Sequence, residues 1–262
     1  MKKKVTITLA VVLILVISFI YATTSSLGQL KNENVLFLYL DETKGDPGTI
    51  EVASLAIFKK GILTELTPVN PLESTESLKN QGIFLSDCLT KAKSISQGID
   101  YTRTISEYQT TTDINRVVLI DSTALKNIID SYHPVLIDIK IKTTVLDNPI
   151  TVHTRTPVSG KAAQQCIRGE VYPGITDQTL LSAPEDYLWE VKSAIINEVT
   201  TTLFDLSQHT PQENTSLAYS AVSQYREKLI TVHSRNTLLF MVYYLPESIS
   251  KRIVGFAVRR IP

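Results

Sequence analysis

Residues 35–58 read VLFLYLDETKGDPGTIEVASLAIF, and the parsing of this stretch decides the fold. Val35 to Leu40 is an unbroken apolar run, the pattern of a strand covered on both faces. Asp41 and Glu42 end it abruptly, Gly45, Pro47 and Gly48 supply turn chemistry, and a second strand occupies Glu51–Phe58. Asp41, Glu42, Asp46 and Glu51 thereby place four carboxylates within eleven residues at the end of buried strands, a common ligand position. A hard cation such as Mg2+ is held by one or two such carboxylates with substrate phosphate; the plainer reading is a polar hairpin tip.

Working outward, Ile62–Leu66 reads as a third short strand, and Thr67-Pro68-Val69-Asn70-Pro71 as the stop of regular structure. Leu72–Tyr108 is helical in pattern, with breaks at Gly82 and Gly98 and an apolar stripe of Leu85, Leu89, Ala92 and Ile95. RVVLID at Arg116–Asp121 is a buried strand. Asp121 or Ser122 can cap the next helix, whose inner face is Leu125, Ile128, Ile129 and Tyr132. Val135–Ile141 is a further strand, running to a turn at Asp147-Asn148-Pro149. Capping boxes at Ser182–Glu185 and Thr210–Glu213 predict two helices, the first with a stripe of Leu188, Val191, Ile195, Val199 and Leu203. Thr237–Leu245 and Arg252–Ile261 read as strands. Strands and helices alternate without a charge block or low-complexity tract, so residues 34–262 form one α/β domain with a central mixed sheet flanked by helices.

Ahead of that domain, Val5–Ala22 carries no charge and follows Lys2, Lys3 and Lys4. It is long enough to span a bilayer and lacks a good small residue at its exit. An uncleaved signal anchor is favoured over a cleaved signal peptide. Residues 1–4 then stay in the cytoplasm, 23–33 form a stalk, and the domain lies outside the membrane. Beyond the three lysines, 23 basic residues face 26 acidic ones, which argues against a nucleic-acid partner. Cys88 and Cys166 are either bridged, as an extracytoplasmic setting allows, or two separate buried thiols. Asn214-Thr215-Ser216 is a glycosylation sequon if the chain is exported.

No G-x-S-x-G, P-loop, H-E-x-x-H, C-x-x-C or dinucleotide fingerprint occurs. One internal echo does: ITVHTR at Ile150–Arg155 and ITVHSR at Ile230–Arg235. As strands side by side they would align His153, Arg155, His233 and Arg235 into an anion-binding face; a chance match is favoured over this, because no other segment repeats at the same offset.

The stretches NVLFLYLDETKGDPG, LTPVNP, GIDYTRTISEYQTTTDINRVVLIDSTALKNIIDSYHPVLID and CIRGEVYPG, in this order, resemble the uncharacterised domain of unknown function 4012, especially archaeal members. That family is similar to the LytR-CpsA-Psr ligases, which move polymers from a polyprenyl-pyrophosphate carrier onto the cell wall. The likeness covers roughly residues 34–205. It implies a cell-envelope role, a cell-wall glycan or polyprenyl-phosphate partner, and Asp41, Glu51 and Arg168 as catalytic positions, with Asp41 and Glu51 near a metal such as Mg2+. The ligases carry arginines where this chain has GTIE, LTPVN and APEDYLWEV; only Arg168 stands near an expected basic position. Planar guanidinium groups are the best grip on pyrophosphate. A non-catalytic module that binds a wall polymer through the former cleft is therefore preferred, with a phosphotransferase as the alternative.

Overall fold

The computed structural model describes residues 32–59, 62–145, 148–205 and 209–234. The proposed anchor, most of the stalk, Arg235 and the two expected strands after it lie outside these residues. Among the described residues, no helix is long and apolar enough to cross a membrane.

A five-stranded mixed sheet forms the centre. It contains β1 (Asn32–Asp41), β2 (Thr49–Lys59), β3 (Ile62–Val69), β4 (Arg116–Asp121) and, from the far end of the chain, a strand at Ile230–Ser234. A separate two-stranded hairpin comprises β5 (Val135–Val145) and β6 (Asn148–Val158), which makes the Ile230–Ser234 strand β7. The order across the large sheet is β3-β2-β1-β4-β7, with β1 and β4 parallel and the other pairs antiparallel. β1 is the middle strand and is buried on both sides: Val35, Phe37 and Tyr39 join one core, Leu36, Leu38 and Leu40 the other. That is the physical meaning of its unbroken apolar run, since alternation is expected only where one face meets water.

Three helices, α1 (Glu76–Lys79), α2 (Cys88–Lys91) and α3 (Ile95–Thr110), serve the Leu36 face. The Val35 face is covered by α4 (Ser122–Asp130), α5 (Gly160–Ile167), α7 (Glu185–Phe204) and the β5–β6 hairpin. Between α5 and α7 lies the short α6 (Gln178–Leu181), and α8 (Pro211–Arg226) packs beside α4. The expected stripe of α7 is realised, with Val191, Ile195 and Val199 fully buried. Two polar pairs also fix α7 on the sheet. Tyr39 Oη donates to Thr200 Oγ1 at 2.5 Å, because Thr200 spends its own hydrogen on the Ile196 carbonyl; Ser54 bonds Asn197.

Several boundaries differ from the sequence reading, each for a local reason. β3 does not stop at Leu66 but continues through Pro68 to Val69; among the described residues it is an edge strand, where a missing donor is tolerated. Gly98 lies inside α3 instead of breaking it: a Cβ there would stand 3.1 Å from the Cα of Leu89, so the residue permits close packing of α2 on α3. Gly82 does mark a turn, with φ +68°. Asn148 and Pro149 belong to β6 and not to a turn. The Thr210–Glu213 capping box forms as expected, with Glu213 Oε2 accepting from Thr210 N at 2.7 Å. The one at Ser182 does not: Pro184 is the N-cap of α7, and Ser182 closes α6 by donating to the Gln178 carbonyl.

Of the two readings of the cysteines, the structure shows the separate buried thiols and not the bridge. Cys88 and Cys166 are both free and buried in the two cores on opposite faces of the sheet. Burial pushes each thiol up to about 12, so neither is a ready nucleophile.

Candidate functional site

The carboxyl ends of the parallel neighbours β1 and β4 lie together, with Leu40 registered against Asp121. After β3 the chain crosses to β4 by way of α1–α3 on one face; after β4 it leaves through α4 on the other. Such a reversal opens a crevice at strand ends in α/β sheets. The residues that follow β1 and β4 line this corner.

Asp41 is 1% exposed and caps a short 3-10 turn at Glu42–Lys44: its Oδ1 accepts from Thr43 N at 3.0 Å and from Thr43 Oγ1 at 2.6 Å. Gly48, at φ +100°, returns the chain; a Cβ there would come within 2.7 Å of the Asp41 carbonyl oxygen. This closure brings Glu51 near the turn. The Lys44 ammonium stands 2.8 Å from Glu51 Oε1 and 3.7 Å from Asp41 Oδ2. From above, α7 delivers Lys192, whose ammonium meets Glu51 Oε2 at 2.5 Å with its side chain only 3% exposed. Burial pushes the Glu51 carboxyl up, but Lys192 and then Lys44 outweigh it and hold the carboxyl below its usual range.

Glu42 organises the second half of the corner. Its Oε2 accepts from the backbone N–H of Ser122 at 3.2 Å and from Ser122 Oγ at 2.8 Å; its Oε1 accepts from Thr123 Oγ1 at 2.6 Å. A carboxylate from the turn after β1 thus does the capping of α4 expected of Asp121 or Ser122, and Asp121 makes no side-chain cap bond. Arg168, the C-cap of α5, donates from Nη2 to Glu42 Oε1 at 2.7 Å and from Nε to Ser122 Oγ at 3.1 Å, with Asp41 Oδ1 3.9 Å away. Gln164, one turn earlier, donates to Thr123 Oγ1 at 2.9 Å. Burial pushes the Glu42 carboxyl up, but the bonds from Thr123, its own N–H, Ser122 and Arg168 prevail and bring it to about 2.

Asp121 has the opposite fate. Burial, then the charges of Glu42 and Asp46, push it up to about 6. Its folded value exceeds the unfolded value of about 3.9, so protonation favours the fold, and the benefit fades as pH rises through about 6. Glu42 acts in reverse, stabilising above its unfolded value and losing that contribution as pH falls toward 2. Asp121→Asn is therefore expected to match the wild type at pH 4 and to exceed it at pH 7, measured by urea unfolding at both. A constant difference between the two would remove Asp121 from this balance.

The sequence-derived residues are thus partly assembled. Asp41, Glu51 and Arg168 share the corner. His153 and Arg155 do not reach it: both are exposed on the small hairpin, where His153 Nε2 bonds Asp138 at 2.8 Å. His233 lies on β7 of the large sheet, opposite Val117, where burial and then the charge of Arg103 pull it below its usual value. β6 and the described part of the second echo, Ile230–Ser234, therefore sit in different sheets, so His153 and Arg155 do not align with His233, and Arg235 lies outside the described residues. Asn214 is in the first turns of α8 with its Oδ1 3.2 Å from His209 Nδ1, a helical setting unlike the exposed loop expected for a glycosylated asparagine.

Lys44 and Lys192 are not among the sequence-derived candidates, and Glu42 is among them only as one of the four carboxylates of the strand-end tip. Lys192 had a readable signal: it stands four residues after Leu188 and three before Ile195, a lone cation inside an apolar stripe.

A divalent ion does not fit Asp41 and Glu51 as they stand. Both Glu51 oxygens face ammonium groups, and one Asp41 oxygen is committed to Thr43. Among the described residues, no group of three or more His, Cys, Asp or Glu side chains is placed to hold a metal ion.

No protein-family model and no curated protein matches the chain. Among solved structures it is similar to a LytR-Csp2A-Psr enzyme from Actinomyces oris, with 14% identity over 88% of this chain and 78% of that one, and a TM-score of 0.49. It is also similar to TagV of B. subtilis, with 11% identity over 88% and 82% and a TM-score of 0.49. TagT bound to LI-WTA gives 12% identity over 81% and 73% and a TM-score of 0.45. Such scores describe broad architecture and carry no inference about chemistry.

Proposed function

We propose that this chain is a cell-envelope domain, anchored through residues 5–22, that binds a hydroxyl-rich wall polymer at the Glu42–Arg168 corner without transferring it. The observation that carries the reading is internal charge balance. Asp41, Glu42 and Glu51 face Lys44, Arg168 and Lys192, and each cation lies within 4 Å of a carboxylate of the set. A pyrophosphate needs surplus positive charge to neutralise it in the transition state, and this corner has none to spare. Sugar hydroxyls, which both donate and accept, suit a cluster of paired charges flanked by Ser122, Thr123 and Gln164. The envelope setting rests on the leader and on the family resemblance.

Asp121 favours the second reading, a phosphotransferase, because a carboxyl of about 6 at a strand end could take a proton from an acceptor hydroxyl. Full-length protein in detergent separates the two. Trp189, the chain's single tryptophan, sits one turn before Lys192 and reports ligand binding by fluorescence. Isolated wall glycan is expected to bind, with affinity about tenfold weaker in Arg168→Ala, and a polyprenyl-pyrophosphate-linked glycan to remain uncleaved. Release of polyprenyl phosphate would establish the transferase instead.

A further inference from the structure

We propose that the Lys44 ammonium is a built-in substitute for a divalent cation, so that the Asp41–Glu51 pair is organised without metal and becomes a metal site when that one side chain is removed. This goes beyond the polymer-binding reading and does not depend on it.

The geometry starts with the turn. Asp41 caps it, which places Lys44 three residues on and above the same carboxylate; Gly48 then brings Glu51 back beneath the ammonium. A single positive charge lies 2.8 Å from one carboxylate and 3.7 Å from the other. Bridging two carboxylates is what a hard cation does in a two-acid site. With Lys192 on the far oxygen of Glu51, the two acids and two ammonium groups sum to zero, and a divalent ion entering here meets like charge at close range.

The arrangement differs from an ordinary surface pair in two ways. The Asp41 side chain is 2% exposed and that of Glu51 10%, so neither relies on water for its charge. The Lys44 side chain is 42% exposed, so its stem reaches in from outside and can be shortened without opening the core. Removing the ammonium leaves a net negative pair, with the hydroxyl oxygens of Thr43 and Thr49 already bonded to these carboxylates. Oxygen donors with surplus negative charge are the ligand set a hard divalent ion selects.

The test uses full-length protein and Mn2+ as probe, read by loss of the free-ion electron paramagnetic resonance signal and by melting temperature with and without the ion. Lys44→Ala and Lys44→Gln are each expected to bind Mn2+ at least tenfold more tightly than wild type and to melt higher in its presence. Lys44→Arg, which keeps the charge, should behave as wild type, and adding Glu51→Gln to Lys44→Ala should abolish the gain. Equal binding by wild type and Lys44→Ala, or no gain in either neutral variant, would overturn the proposal.

Discussion

Lys192→Met should destabilise the protein by about 3–5 kcal/mol, the range for breaking a buried ion pair from one side. Methionine keeps most of the lysine volume, so the packing change is small. What remains is electrostatic. Lys192 and Glu51 have side chains 3% and 10% exposed and meet at 2.5 Å; without the ammonium, one Glu51 oxygen is left in a dry setting. Lys44 still holds the other oxygen, but from a side chain 42% exposed. Two further measurements make the assignment specific. Adding Glu51→Gln should recover most of the loss, because the remaining partner is then neutral. The single variant should also gain relative stability on acidification. Burial raises Glu51 and Lys192 lowers it, so deleting Lys192 moves the folded value upward, and protonation then relieves the strain. Urea unfolding of the wild type, the two single variants Lys192→Met and Glu51→Gln, and the double variant at pH 5 and pH 7.5 gives both quantities. A loss under 1 kcal/mol in the single variant would mean that Glu51 finds water or another donor, and that α7 is not pinned here.

The same residue shows how much of this molecule was legible in its sequence. The apolar run of β1, the strand–helix unit at Arg116–Asp130 and the stripe of α7 are local patterns, and each formed where the pattern placed it. Strand-end position gave four carboxylates, Asp41, Glu42, Asp46 and Glu51, and the family resemblance selected Asp41, Glu51 and Arg168; these three reach one corner. It missed the pairing logic. Glu42 lies next to Asp41 in sequence, yet it is Glu42 that meets Ser122, Thr123 and Arg168, contacts 80 to 126 residues away in the chain. Long-range partners leave no mark in a local window. The echo of ITVHTR and ITVHSR builds no shared face for a related reason: Ile150–Arg155 and Ile230–Ser234 are both strand, but strand character does not say which sheet receives it. Cys88 and Cys166 likewise fell on opposite faces of the central sheet.

Gly160→Val should cost about 3 kcal/mol and weaken ligand binding at a corner it does not touch. Gly160 needs no unusual backbone; it is the first residue of α5, after the N-cap Ser159, and nothing in its neighbourhood of sequence calls for glycine. The reason is contact. A Cβ there would collide with the backbone oxygen of Lys126 and the carboxylate of Asp130, both on α4. The Lys126 oxygen belongs to the helix ladder and cannot step aside, so α5 must back away, and overpacking of this kind costs about 1–3 kcal/mol or more. Residues 160, 164 and 168 lie on one face of α5, and the latter two meet Thr123 and Ser122 at the other end of α4. The two helices are thus in contact from one end to the other, and displacement at Gly160 is carried along α5 toward the Arg168 guanidinium and its 2.7 Å bond to Glu42. Alanine should show a smaller loss in the same direction. If Gly160→Ala unfolds within 0.5 kcal/mol of wild type and binds glycan equally well, the helix pair is not what positions Arg168, and the Glu42–Ser122 contacts alone must do so.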